Sequence, residues 1–219
     1  MRSLLAMFST ATNRGMEIDE VLAEGYPQYA EHLDTIERLR RAYAEAKRRT
    51  GVMDFDDLLA LTLELLRENP DVRRAVASRI RHVLVDEYQD VNLLQADLVE
   101  QFQSMHGNVL MVGDDAQSIY SFRAATIRNI LDFPKDYPGT TIVPLEQNYR
   151  STQPILEATN RVIAVSRQRH TKTLWSDRTS AERPVLVDCI DEDQQSEFVV
   201  EQVLARREEG IALQDQAVL

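Results

Sequence analysis

Two short apolar runs, each ending abruptly in carboxylates, constrain this chain more than any other feature. The first lies in HVLVDEYQD, His82 to Asp90, and the second in NVLMVGDDAQSIYSFR, Asn108 to Arg123. Runs this short, rich in Val and Leu and closed by Gly or Asp, read as strands of a parallel sheet buried on both faces. Ligands of such sheets gather at the carboxyl ends of the strands. Asp86, Glu87 and Asp114 are therefore expected side by side at one edge, where acidic groups can hold Mg²⁺ and position a water. This layout suits nucleotide hydrolysis, which also requires a phosphate-binding partner elsewhere.

The surrounding pattern places these runs in an α/β chain. Residues 1 to 50 read as helical, with a break at Gly25-Tyr26-Pro27 and a helix from Asp34 to Arg49 ended by Gly51. Asp54 caps a helix from Phe55 to Glu68, and Asn69-Pro70 stops it. Helices are expected over 71–79, 93–103, 126–133 (stopped by Pro134), 153–165 and 194–207, with further strands over 141–145 and 184–189 and the start of another at 217–219. Ser166 to Arg183 reads as a long polar loop. Strand and helix alternate, which implies right-handed crossovers and a parallel sheet.

Composition narrows the classes. The 219 residues carry a formal charge of −11, which argues against coating nucleic acid by bulk electrostatics but leaves room for a local basic channel. The basic stretch Arg38 to Arg49 reads as a solvated helix face or, alternatively, as a phosphate contact. Cys189 is the single cysteine and cannot form an internal disulfide. No apolar stretch approaches the roughly 18 residues that span a bilayer, and the opening MRSLLAMF is too short for a secretory signal. A cytoplasmic location is the expectation.

Each motif supports a definite chemistry. Of the pair Asp86-Glu87, one carboxylate can hold Mg²⁺ while the other orients or deprotonates a water. Gly113 allows a tight turn, and Gln117 supplies a neutral amide for phosphate or water. Ile119-Tyr120-Ser121-Phe122-Arg123 interleaves aromatics with a cation, as in surfaces that stack nucleobases, although in an isolated triplet Tyr120 and Phe122 read first as core residues beneath a loop. In Leu145-Glu146-Gln147-Asn148-Tyr149-Arg150-Ser151, Arg150 can serve as an arginine finger and Tyr149 can stack on a base.

In this order and spacing, DEYQD, VGDDAQSIYSFRAA and LEQNYRST resemble motifs II, III and IV of the UvrD/Rep family of superfamily 1 helicases, and MDFDDLL resembles the stretch where that family's chain re-enters its first motor domain. The resemblance runs through nearly the whole chain. It implies a RecA-like, parallel-sheet motor domain, incomplete, with three parts. Residues 1–50 would be the end of a helical insert, 51–143 the second part of the first RecA-like domain, and 144–219 the start of the second.

It further implies ATP and Mg²⁺ as cofactors and single-stranded or partly duplex DNA as partner. Asp86 would help hold Mg²⁺ and Glu87 would activate the hydrolytic water. Gln117 would sense the γ-phosphate. Tyr120, Phe122 and Arg123 would lie on the DNA path, with Phe122 where family members stack an aromatic. Tyr149 would stack on adenine and Arg150 would contact the γ-phosphate.

Two departures qualify this. Ala124 stands where the family has Gly after the motif III Arg, and no G-x-x-x-x-G-K-[ST] occurs among the 219 residues. The family's C-terminal motifs V and VI are also missing. The expectation is thus a fragment of an ATP-dependent 3′ to 5′ DNA helicase with negligible activity alone, prone to aggregate or needing a partner subunit. Alternatives are a non-catalytic DNA-binding or scaffold remnant of a helicase, or part of a helicase–nuclease subunit of the RecB or AddA type.

Overall fold

The structure, a computed structural model, describes residues 2–119, 126–166 and 169–218. It divides into two compact units: the first holds residues 1–145 and 163–172, the second 146–162 and 173–219.

The first unit opens with helices α1 (Arg2–Arg14), α2 (Ile18–Gly25) and α3 (Leu33–Thr50), with a short 3₁₀ segment over Pro27–His32. Met7 and Ala11 of α1, Ile18, Val21 and Leu22 of α2 and Ile36 of α3 close into one apolar cluster. Helix α3 ends where Gly51 turns left-handed at φ 66°, a conformation that costs glycine little.

Asp54 caps α4 (Phe55–Glu68) by accepting from the Asp57 N–H at 2.9 Å, and Asp57 returns the bond to Asp54 N–H. Lys47 reaches both carboxylates, at 2.6 and 2.7 Å, and Tyr43 donates to Asp54 at 3.0 Å. Lys47, read from sequence as part of a basic surface, is thus half of a structural joint between α3 and α4. Burial pushes its pKa down, but hydrogen bonds and charge from Asp54 and Asp57 outweigh this and raise it.

Pro70 opens α5 (Pro70–Ala77), using the position where a missing N–H costs nothing. Strand β1 (Val83–Val85), helix α6 (Leu93–Gln103) and strand β2 (Val109–Met111) follow. Leu63 and Leu66 of α4 pack with Leu94 and Leu98 of α6. A polar node ties three helices: Asn92, which caps α6, donates to Asn13 at 2.8 Å, and Asn13 donates to Asp56 at 2.7 Å.

The two strands pair in parallel with Val83 opposite Val109 and Val85 opposite Met111, as the alternation requires. Burial on both faces does not hold. The middle residues Leu84 and Leu110 are 70% and 55% exposed, because only one face of this two-stranded sheet is covered by the described residues. Helix α7 (Arg128–Asp136) runs past Pro134 rather than stopping before it.

The second unit contains α8, which spans Gln153–Ile163 with its last residue assigned to the first unit, and α9 (Glu192–Glu208). Three expected strands are absent among the described residues. Residues 141–145, 184–189 and 217–218 are extended or irregular with no ladder, and Val143, Leu145, Val185 and Leu186 are exposed. Strand propensity expresses how well a side chain fits a half-buried pleated surface, and these segments have no neighbour to supply one. In place of a strand, Gln147 and Trp175 form one parallel bridge. None of the described helices is long and apolar enough to cross a membrane.

Candidate active site

The ends of β1 and β2 lie together. The chain turns at Asp86-Glu87, where Glu87 is the one described non-glycine residue with positive φ, at 51°. Such a conformation carries strain in a residue with a side chain. Asp86 caps the turn by accepting from the Glu87 N–H at 3.0 Å. Both side chains are exposed to solvent.

The residue that builds the site is one the motif reading passed over. Gln89 is 1% exposed and has both ends of its amide satisfied. Its Nε2 donates to Glu87 Oε2 at 2.7 Å, and its Oε1 accepts from the Asp114 N–H at 2.9 Å. It thereby fixes the Glu87 carboxylate relative to the loop after β2. Gly113 makes this approach possible. A Cβ there would lie 2.8 Å from Gln89 Oε1 and from Ile130 Cδ1 and 3.2 Å from Tyr88 N, and would push both side-chain ends aside, so glycine is favoured by crowding rather than by a left-handed turn.

From Asp114 the path continues. Its carboxylate accepts from the Ala116 N–H at 2.9 Å and from Gln117 Nε2 at 2.8 Å. An unbroken line of hydrogen bonds therefore joins Glu87, Gln89, Asp114 and Gln117. Gln117 itself is exposed at the end of a single turn, Asp115–Gln117.

Asp114, expected beside Asp86 and Glu87 as an acidic group for Mg²⁺ or water, is no open carboxylate. Lys172 pairs with it and, at 3.2 Å, with the buried Asp115. Burial pushes the Asp114 carboxyl up, yet the hydrogen bonds from Lys172 and Gln117 and the Lys172 charge hold it below the ordinary value. The Lys172 ammonium is raised in turn, burial notwithstanding, by bonding and charge from the same two aspartates.

The segment carrying Lys172 is fastened at a second point. His170 N–H donates to Asp115 at 3.1 Å, and its ring Nε2 lies 3.3 Å from the Ile130 carbonyl. That carbonyl is the one Pro134, four residues on, cannot serve with an N–H. The sequence reading, which stopped this helix at Pro134, hid the acceptor that a proline inside α7 leaves open.

The described residues contain no group of three His, Cys, Asp or Glu side chains that could hold a metal. Asp86 nonetheless fits a Mg²⁺ bound mainly through water, because one exposed carboxylate on a strand end suffices for that. Tyr88 beneath the turn is buried, which pushes its pKa up to about 12, and packs edge-on against Phe133 at 5.8 Å.

Tyr149 and Arg150 belong to the second unit. Asn148 shapes their turn, its Oδ1 accepting from the N–H groups of Arg150 at 2.9 Å and Ser151 at 2.7 Å. Arg178 donates to the Arg150 carbonyl. The Tyr149 ring is open to solvent, 76% exposed, with its hydroxyl donating to Gln147 at 2.8 Å. Among the described residues no carboxylate pairs with the Arg150 guanidinium. Tyr120, Phe122 and Arg123, expected on a DNA path, lie outside the described residues.

Comparison with known proteins is specific. A family model described as the UvrD/REP helicase N-terminal domain matches residues 1–138, and one described as the UvrD-like helicase C-terminal domain matches 143–219. The chain is 43% identical over 154 residues to a probable DNA helicase II homolog of Rickettsia felis, covering 70% of this chain and 24% of that protein. It is 43% identical over 150 residues to DNA helicase II of Rickettsia typhi, covering 68% and 23%. To the ATP-dependent DNA helicase PcrA of Staphylococcus aureus it is 38% identical over 188 residues, covering 86% and 26%. The chain thus spans about a quarter of the length of the curated relatives it matches.

Proposed function

This chain belongs to the UvrD/REP helicase family, and from that premise we propose that it forms part of an ATP-dependent motor that translocates 3′ to 5′ on single-stranded DNA and unwinds duplex. A RecA-like fold follows from the family. The helix-rich first unit with its parallel strand pair is consistent with a portion of such a domain.

The observation that carries the reading is the hydrogen-bonded line from Glu87 through Gln89 and Asp114 to Gln117. Hydrolysis driving movement needs its water-activating group held in register with the group that senses the phosphate. Here a buried amide supplies the register. Glu87, its carboxylate oriented by Gln89, is the base or water-positioning group. Asp86 would hold Mg²⁺, which supplies charge neutralisation for the phosphates. The Gln117 amide would report the γ-phosphate.

In the second unit the exposed Tyr149 ring offers a stacking face for adenine, and Arg150 a cation for the γ-phosphate. Tyr120, Phe122 and Arg123 would meet DNA by stacking and phosphate contact. The medium would be the cytoplasm.

Steady-state ATP hydrolysis with and without a single-stranded oligonucleotide tests this, with this chain fused to a glycine-rich phosphate loop segment. DNA-stimulated turnover that falls at least about a hundredfold in Glu87→Gln is expected. Turnover indifferent to DNA, or to that substitution, would sink the proposal. The 219 residues alone contain no G-x-x-x-x-G-K-[ST] and are expected to show background hydrolysis only.

A further inference from the structure

We propose that Lys172 is a positioning residue for Gln117, acting through Asp114. The inference rests on the reading that Gln117 is the phosphate-sensing amide, and it adds the group that sets where that amide points.

Gln117 sits at the exposed end of a three-residue turn with little packing of its own. What fixes it is Asp114. The Asp114 carbonyl accepts from the Gln117 N–H at 2.9 Å, and the carboxylate accepts from the Gln117 amide at 2.8 Å. A carboxylate turns readily about its terminal torsion, so the second bond directs Gln117 only if Asp114 is itself held. The Ala116 N–H donates to Oδ1 at 2.9 Å, and Lys172 pairs with the same oxygen and adds its charge, leaving Oδ2 to Gln117.

The same ammonium bridges to Asp115 at 3.2 Å, so it also offsets the repulsion between two neighbouring carboxylates, one buried and one partly buried. Without it, Asp114 keeps only the Ala116 N–H on Oδ1, and the Gln117 side chain is anchored to a more loosely held carboxylate.

Lys172 is delivered rather than adventitious. Two residues earlier, His170 is fastened by its backbone N–H to Asp115 and by its ring to the carbonyl that Pro134 leaves unserved in α7. Residues 163–172 are assigned to the first unit, whereas the chain on both sides of them builds the second. Gln117 is therefore held by a segment covalently continuous at both ends with the unit that carries Tyr149 and Arg150.

Hydrogen–deuterium exchange of the 219-residue chain, read in peptides over 114–119 and over α6 without nucleotide or DNA, tests the proposal. Lys172→Ala is expected to speed exchange in 114–119 about tenfold, the size that follows from losing a charge-assisted hydrogen bond, with α6 unchanged. In parallel, the Gln117 side-chain amide resonances should move toward free glutamine values in Lys172→Ala and return in Lys172→Arg. Where Lys172→Ala loosens α6 as well, Lys172→Met, which keeps the apolar stem, decides the matter. Unchanged loop exchange and unchanged Gln117 resonances in the charge-free variant that stays folded would overturn it. Because nucleotide is absent, this outcome is independent of whether hydrolysis responds to Glu87→Gln.

Discussion

The two units hold their motifs by different means. In the first, catalytic candidates stand over a buried layer, and side chains do the holding: Gln89 grips Glu87 and the loop after β2, while Lys172 grips Asp114 and Asp115. In the second, Tyr149 and Arg150 ride on a backbone turn shaped by Asn148 and Arg178, and Leu156 is the only buried hydrophobic side chain among the described residues there. Chemistry that needs an oriented carboxylate is placed where packing is dense. The accessible ring and cation sit on a turn that the Asn148 and Arg178 side chains fasten by its backbone groups.

Core truncation should separate the units most. Leu22→Ala, in the apolar cluster of α1 to α3, is expected to cost about 3 kcal/mol, and Leu156→Ala about 2 kcal/mol because its thin surroundings can collapse. Denaturant unfolding followed by a probe in each unit checks this. Equal losses reported by both probes from either substitution would erase the distinction.

Gln89→Ala comes next, at about 2 kcal/mol, since it leaves a partly buried Asp114 N–H and a Glu87 oxygen without their partner. Its effect on stability should be confined to the first unit. A loss within a few tenths of a kcal/mol would show that water replaces the amide, and that the line from Glu87 to Gln117 has no structural weight.

The smallest effect is the response of the Lys172 clamp to pH, because both partners keep some solvent exposure. Asp114 is held below its ordinary value of 3.8, so its contribution is complete above that and lost as pH falls through the lower folded value. Lys172 is raised above 10.5, so its contribution is complete below that and lost as pH rises through the higher folded value. Exchange in 114–119 should be constant between those limits after correction for intrinsic rate, and loosen outside them. A loop that loosens near neutrality would contradict the pairing.

Local signals in the sequence carried the helices and the order of the motifs. Asp54 and Gly51 mark helix ends because a cap is satisfied within a few residues, so the sequence alone is enough to read it. Strands at 141–145 and 184–189 failed because a ladder depends on a neighbour that propensity does not name. The candidate site shows the same division. Asp86, Glu87 and Gln117 stand out as candidates by type and spacing, whereas Gln89 and Lys172 do not. Lys172 lies 58 positions from Asp114, in a stretch that reads only as polar loop.

The left-handed backbone at Glu87 sets durability against work at a single position. Glycine there would relieve the strain and leave a hardier fold, yet it would remove the one carboxylate that Gln89 is built to hold. A selection for thermal persistence alone should drift toward Glu87→Gly, and a selection that also demands turnover should return the glutamate at a cost in melting temperature. Position 87 is where a stabilising screen of this chain and a turnover screen run with a phosphate loop supplied should disagree first.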